Sequence, residues 1–229
     1  MALAKHILDF YHHLALENQD LPADVKVMNP YTNTPPEIAE ALSRFYNKFY
    51  NDDAPRGLIL GINPGRFGAG VTGIPFTDSY RLKEYCGIPF PSDTRETSAL
   101  FVYDVIEAYG GARKFYKNWF IGAVSPLGFI HKNNRGNWVN CNYYDQPALE
   151  QAVRPFIIEQ LSKQKALCGN PAKCVVLGTG KNFKYLQKLN NSENLFEQII
   201  PLEHPRYIMQ YKLKSKQVFI EKYLNKLSP

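Results

Sequence analysis

Four short apolar runs, separated by helix-like stretches, most limit how this chain can fold. They cover residues 57–62, 119–124, 174–177 and 195–200. The first three are almost continuously apolar, which is typical of strands covered on both faces. Strands that alternate with helices form a parallel sheet with helices on both sides. The sequence therefore predicts an α/β fold, a three-layer αβα arrangement around a central, mostly parallel four-stranded sheet.

The stretches between and around these runs have helical periodicity. Leu3, Ile7, Phe10 and Leu14 recur at helical spacing and predict a helix over about residues 3–17. A second helix is predicted after Thr34, where the following prolines suit a helix start. Further helices are predicted over 98–109, 146–163 and 181–189, and at the end of the chain around 219–227. With no internal repeat or long linker, we expect one domain over residues 1–229, with an N-terminal helix within residues 1–25 packed on it.

Composition excludes several classes of protein. The chain has 229 residues, 45% of them hydrophobic, which is ordinary for a globular domain. No apolar run approaches the roughly 18 residues that a membrane span needs, so no membrane partner is expected. The start of the chain lacks the pattern of a signal peptide, and we expect a cytoplasmic location. The net charge of +6 is compatible with a nucleic-acid partner.

The four cysteines give no metal-binding pattern. They stand far apart with no Cys-x-x-Cys pair and no histidine at finger-like spacing. We therefore favour separate reduced thiols over an iron–sulfur cluster, and expect neither a metal nor a cofactor. The cysteines are Cys86, Cys141, Cys168 and Cys174.

The segment 63–76 leaves the first predicted strand at its carboxyl end, where parallel sheets bind their ligands. Its glycines permit positive φ and close approach of a ligand to the backbone. A phosphate-binding P-loop would need Gly-Lys-Ser or Gly-Lys-Thr, which is missing here. Gly65, Gly68 and Gly70 also lack the spacing of a dinucleotide fingerprint. Glycine richness alone favours a tight surface loop over a ligand-binding loop.

This segment resembles a known family. Gly61-Ile-Asn-Pro-Gly-Arg-Phe-Gly68, followed by Thr72-Gly-Ile-Pro-Phe76, closely resembles motif 1 of the single-strand-selective monofunctional uracil-DNA glycosylases. These form a branch of the uracil-DNA glycosylase superfamily. Weaker matches in the same order are Met28-Asn-Pro-Tyr31, Val124-Ser-Pro-Leu127, Leu177-Gly-Thr-Gly180 and His204-Pro205, the last resembling motif 2. The resemblance implies a uracil-DNA glycosylase-like fold and a uracil-DNA glycosylase activity over roughly residues 26–228.

The resemblance also implies roles for individual residues. Asn63 is expected to position the attacking water, and His204 to hydrogen-bond uracil O2 as charge develops on the leaving base. Phe76 is expected to stack on the flipped uracil. Backbone amides around Ile62, Asn63 and Phe76 are expected to bond the uracil carbonyls, and Gly65 is a further candidate for binding the substrate.

The resemblance lapses after His204-Pro205, where the family continues with a segment that wedges into DNA. Arg206, Tyr207 and Ile208 are the alternatives for the wedge residue. Arg66, Arg206 and Tyr207 are candidate DNA-binding residues, and His131 is expected in a loop near DNA.

One departure bears on the substrate. Ala123 stands where the family has an asparagine that reads the edge of uracil. Ser125, Asn140 and Asn142 are the candidates to replace it. The leading hypothesis is a monomeric glycosylase for uracil in single- or double-stranded DNA. The alternatives are a glycosylase for another deaminated base, such as xanthine or hypoxanthine, and an inert DNA- or nucleotide-binding module.

Overall fold

The structure is a computed structural model that describes residues 2–16, 21–32 and 34–228. Its seven described strands are β1 (Val25–Met28), β2 (Gly57–Gly61), β3 (Trp119–Ala123), β4 (Gly128–Lys132), β5 (Trp138–Cys141), β6 (Lys173–Leu177) and β7 (Gln198–Leu202). The helices of the first half are α1 (Leu3–His12), α2 (Pro36–Phe49), α3 (Ala69–Thr72), α4 (Ser79–Glu84), α5 (Thr97–Tyr109) and α6 (Ala112–Asn118). Those of the second half are α7 (Pro147–Leu167), α8 (Lys181–Glu193), α9 (Pro205–Tyr211) and α10 (Lys216–Leu227).

The central sheet has the strand order β3-β2-β6-β7, and all its pairs are parallel. Neighbouring residues of a strand point to opposite faces, so each face needs its own cover. Ile59 packs on one face with side chains of α5 and α10. On the other face, Phe120 contacts the ring of Tyr50, which ends α2. The predicted three-layer α/β fold with a parallel four-stranded sheet is therefore confirmed.

Several element boundaries differ from the prediction. The first helix ends at His12 rather than near residue 17, which lies outside the described residues. The fourth strand covers Gln198–Leu202 rather than 195–200. The backbone N–H and C=O of Phe196 pair with the side-chain amide of Asn190, at 2.7 and 2.8 Å. Phe196 is therefore held in the turn between α8 and β7, although its apolar character resembles a strand.

A second sheet was not predicted. Its three antiparallel strands lie in the order β1-β4-β5. Each has only four or five residues, and polar side chains such as Lys26, His131 and Asn140 interrupt them. Such short mixed segments carry almost no periodic signal. His131, expected in a loop, lies on β4, so that prediction was wrong.

The two sheets meet at the carboxyl ends of β2 and β3. Val124 N–H donates to the Gly61 carbonyl, and Ser125 N–H donates to the Ile62 carbonyl, which ties the two strand exits together. A methyl group on Gly128, the first residue of β4, would lie 2.5 Å from the Pro64 carbonyl oxygen. The close approach of the second sheet to the loop after β2 therefore requires glycine.

Two further findings concern cysteines and membranes. All four cysteines are buried free thiols.

No helix in the described parts of the chain is long and apolar enough to cross a membrane.

Candidate active site

A cavity of about 280 Å³ opens where the two sheets meet. Its size is near the lower end of small-ligand pockets. The loop after β2, the end of β3, β5, α1 and the start of α9 all contribute to its wall. Asn63 and His204, which are far apart in sequence, both line it.

The side-chain amide of Asn63 is held by two backbone groups at the exit of β5. Its Nδ2 donates to the Cys141 carbonyl at 3.2 Å, and its Oδ1 accepts the Tyr143 N–H at 3.4 Å. A backbone carbonyl only accepts and an N–H only donates, so these contacts fix which end of the amide is the oxygen. Oδ1 keeps a second acceptor position that suits a water molecule.

His204 precedes α9 and caps its first turn. Its Nδ1 accepts the backbone N–H of Arg206 at 3.2 Å. A ring nitrogen that accepts carries no proton, so the neutral ring carries its proton on Nε2. Burial, together with the positive charge of Arg206, lowers the pKa of His204 to about 4. The ring is therefore neutral near pH 7, with Nε2–H as its donor.

Phe76 lines the same cavity near His204 and has an unusual backbone conformation. Its φ of 51° lies in the left-handed region, which is uncommon for a bulky residue and often marks a functional site. The ring centroid lies 6.1 Å from that of His204. A methyl group on Gly61 would lie 2.8 Å from the Phe76 ring, so glycine lets the ring lie against the end of β2.

The loop residues Ile62 and Gly65 also line the cavity. The Gly65 carbonyl accepts the N–H groups of Gly68 and Gly70, at 3.2 and 2.9 Å. These bonds turn the chain sharply after Asn63. Gly65 is thereby left at the cavity wall without a side chain to fill the space.

Position 123 gives the cavity an apolar wall. Ala123 lines it, and its backbone N–H and C=O both pair with the side chain of Gln164 on α7, at 3.1 and 2.9 Å. Ser125 is buried, does not line the cavity, and donates its hydroxyl to the Leu127 carbonyl at 2.8 Å. Asn142 does line it, but its Nδ2 is bonded to Asp145.

Several lining residues escaped the sequence analysis. Tyr11 on α1 stacks on Tyr31 with ring centroids 4.5 Å apart, and both reach the cavity. Tyr31 donates its hydroxyl to the Gly73 carbonyl at 2.8 Å. Tyr11 lies on an amphipathic helix and was indistinguishable from a core residue. Glu96 and Ser98, at the start of α5, belong to no motif and gave no signal.

Comparisons with known proteins establish the family. The family described as the Uracil DNA glycosylase superfamily matches residues 48–228. The chain belongs to this superfamily. The crystal structure of wild-type Pedobacter heparinus SMUG2 matches with a TM-score of 0.94 and 45% sequence identity, over 99% of this chain and 97% of that one. A comparison with curated proteins gives no match. The resemblance that motif 1 predicted is confirmed.

The family match begins after α1, so it does not include Tyr11 or Tyr31. The SMUG2 match does extend over this part of the chain. The aromatic wall formed by Tyr11 and Tyr31 therefore lies outside the segment that the superfamily match covers.

The candidate DNA-binding residues of this superfamily member lie on the loop after β2 and on α9. Arg66 donates to the Trp138 carbonyl at 2.6 Å, and its guanidinium lies 4.7 Å from the centre of the Phe67 ring. Arg206 lines the cavity, and Tyr207 is 43% exposed on the same helix. Ile208 is fully buried, so its assignment as a possible wedge was wrong.

Proposed function

We propose that this chain is a monofunctional DNA glycosylase that hydrolyses the N-glycosidic bond of uracil in DNA, the first step of base excision repair. One observation carries the proposal. Asn63 and His204 face the same cavity, and backbone hydrogen bonds fix both the amide orientation of Asn63 and the tautomer of His204. Membership of the superfamily and the likeness to SMUG2 support the reaction class.

The base first leaves the helical stack and enters the cavity, at a cost of a few kcal/mol. The ring of Phe76 offers a flat surface on which the base stacks, a contact worth about 1–3 kcal/mol. Its strained backbone holds the ring against Gly61. The base therefore enters a site whose stacking surface is already in place.

Cleavage then separates the base from the sugar. The bonding electrons of the C1′–N1 bond leave with the base, and negative charge spreads to its O2. The Nε2–H of His204 donates to this oxygen. Because the neutral ring already carries its proton on Nε2, the donor is in place when the negative charge develops. A water held by Oδ1 of Asn63 adds to C1′, and its proton passes to solvent or to the departing base.

The lining of the cavity supports a monofunctional mechanism. No lysine belongs to it among the described residues. A lyase reaction through a Schiff base needs an amine at C1′. We therefore expect borohydride to trap no covalent complex between the enzyme and DNA.

Replacing the two catalytic candidates tests the proposal. Asn63→Ala and His204→Ala are each expected to lower the rate of uracil release at least tenfold, because each removes a group that acts on the reacting atoms. Release is measured as abasic-site formation on a single-lesion oligonucleotide, with circular dichroism to check folding. His12→Ala, on the exposed side of α1, is the control. Full activity in both site variants would contradict the assignment.

A second candidate function is removal of another deaminated base, such as hypoxanthine or xanthine. The observation that favours it is Ala123, which places no polar side chain at the position where the family reads uracil. A panel of oligonucleotides with single uracil, hypoxanthine or xanthine lesions, in single- and double-stranded form, separates the two. DNA binding without release of any base would instead indicate an inert binding module.

The partner proposed is DNA, and one copy of the chain suffices. Asn63, Phe76 and His204 line one cavity within a single copy of the chain, and Tyr11 of α1 lines it too. We therefore propose that the enzyme acts as a monomer in which the N-terminal helix belongs to the catalytic domain.

A further inference from the structure

Deamination creates a chemical mark that a glycosylase for such bases has to detect. In cytosine, adenine and guanine it replaces an amino group, a donor, by a carbonyl, an acceptor, beside a ring N–H. A fixed hydrogen-bond donor at this edge therefore binds the deaminated base, whose carbonyl is an acceptor. It disfavours the parent base, whose amino group is also a donor. Ala123 has no such donor, so another residue has to supply it.

Hydrogen bonds separate the three alternatives that the sequence left open. The hydroxyl of Ser125 already donates to a backbone carbonyl outside the cavity, and the Nδ2 of Asn142 already donates to Asp145. Asn140 is different, because its Oδ1 accepts the backbone N–H of Arg66 at 3.2 Å. This contact fixes the amide so that Nδ2 is the free end. Nδ2 has no partner among the described residues.

The free donor of Asn140 points to the space above Gly65. A methyl group on Gly65 would lie 3.5 Å from Nδ2 of Asn140, so the absence of a side chain there leaves the donor open to the cavity. The same methyl group would lie 3.7 Å from Oε1 of Glu96. A donor and a carboxyl thus lie near the same point.

The carboxyl of Glu96 is itself unusual. It lines the cavity and is half-buried, and it accepts no hydrogen bond from the described residues. A carboxyl without a protein partner at a cavity wall is free to accept a hydrogen bond from a ligand. A side chain at Gly68 would collide with this carboxyl, so glycine there makes room for it.

We propose that Asn140 and Glu96 form the pair that reads the edge of the flipped base. This inference rests on the proposed glycosylase function and names the groups that select its substrate. Nδ2 of Asn140 donates to the carbonyl that deamination creates, and Glu96 accepts the neighbouring ring N–H. The pair replaces the base-reading asparagine of the family, whose position is occupied by Ala123.

The charge of Glu96 affects catalysis in a definite direction. Burial and the nearby carboxylate of Asp78 raise the pKa of Glu96 to about 7, against the opposing effect of Arg206. Asp78, which precedes α4, is itself paired with Arg81, and the exposed Arg66 lies on the adjoining loop. A neutral carboxyl accepts an N–H without repelling a base that leaves as an anion. The rate of base release should therefore fall as pH rises through about 7.

The Asn140 contact is tested by changing both partners, the residue in the enzyme and the carbonyl in the substrate, and comparing the losses of activity. Asn140→Ala is expected to lower kcat/KM about tenfold or more on uracil, but only slightly on 4-thiouracil, whose sulfur is a poor acceptor. Asn140→Asp keeps the size, replaces the donor by an acceptor, and should lose more activity on uracil than Asn140→Ala. Asn137→Ala, exposed on the same β4–β5 hairpin, is the matched control and should match the wild type.

A pH profile tests Glu96. Glu96→Gln keeps the shape and is always neutral, so the decline of activity above pH 7 should disappear. A residue that only supports the loop would leave this decline in place. Equal losses on uracil and 4-thiouracil, or an unchanged pH profile in Glu96→Gln, would overturn the inference while the wild-type enzyme stays active. A wild-type enzyme that releases no base contradicts the proposed function itself, and the inference with it.

Discussion

At the scale of single residues, the buried neutral state of His204 has a cost in stability at acid pH. Its folded pKa of about 4 lies below the value of about 6.5 in an unfolded chain. Between these values the unfolded state binds the extra proton, so acidification favours unfolding. From pH 7 to pH 5, this one group should remove about 2 kcal/mol of folding free energy.

Denaturant unfolding at the two pH values measures this loss. His204→Asn keeps a side-chain oxygen that can cap α9 but removes the titration. Its unfolding free energy should therefore fall by about 2 kcal/mol less than that of the wild type over this range. His12→Asn, on the exposed side of α1, should behave like the wild type. Parallel losses in all three proteins would show that His204 is not buried as a neutral ring.

The residues of the site differed in how well the sequence revealed them. Asn63 and Phe76 belong to a long motif, so a resemblance could assign them roles. Glu96 stands alone in sequence, and its proximity to Gly65 depends on how α5 packs. The role of a residue could therefore be predicted where it belongs to a motif of neighbouring residues. It could not be predicted where the residue reaches the site only through tertiary contacts.

At the scale of elements, α7 supports the open edge of the central sheet. β3 is an edge strand, and the side chain of Gln164 on α7 pairs with both backbone groups of Ala123. Gln164→Leu would leave a buried N–H and a buried C=O unpaired, at a cost of about 2–4 kcal/mol. The end of β3 would also shift at the cavity wall, so base release should slow.

Urea unfolding and a uracil-release assay together check this role. Gln151→Leu, on the exposed face of the same helix, is the matched control and should change neither measurement appreciably. Unchanged stability in Gln164→Leu would indicate that water or a neighbouring group replaces the amide.

Elements with a strong apolar pattern were predictable, and those held by particular contacts were not. β2, β3 and β6 are buried on both faces, so their apolar runs stood out. The second sheet has one partly exposed face and short strands, so its pattern was lost among loops. The predicted end of α7 fell at residue 163, one short of Gln164, because nothing in the local sequence shows that the helix continues to Leu167.

At the scale of the whole molecule, the sequence predicts a net positive charge but not where the charge lies. The fold places two exposed lysines, Lys212 and Lys214, directly after α9, which begins beside His204. The helix is about 10 Å long, well within the width of bound DNA. Neither lysine forms an ion pair with the described residues, whereas Lys216 is paired with Asp104 at 2.8 Å. These two charges are therefore available for phosphates.

Salt dependence tests this placement. Each phosphate contact contributes about 0.7–0.9 to the slope of log affinity against log salt concentration. The double variant Lys212→Ala/Lys214→Ala should lower the slope by about 1–2, measured by fluorescence anisotropy on DNA with a tetrahydrofuran abasic-site analogue. Lys117→Ala/Lys173→Ala removes the same charge at the amino ends of β3 and β6, the opposite edge of the sheet, and should leave the slope unchanged. Equal slopes in both variants would mean that overall charge, rather than a defined face, attracts the DNA.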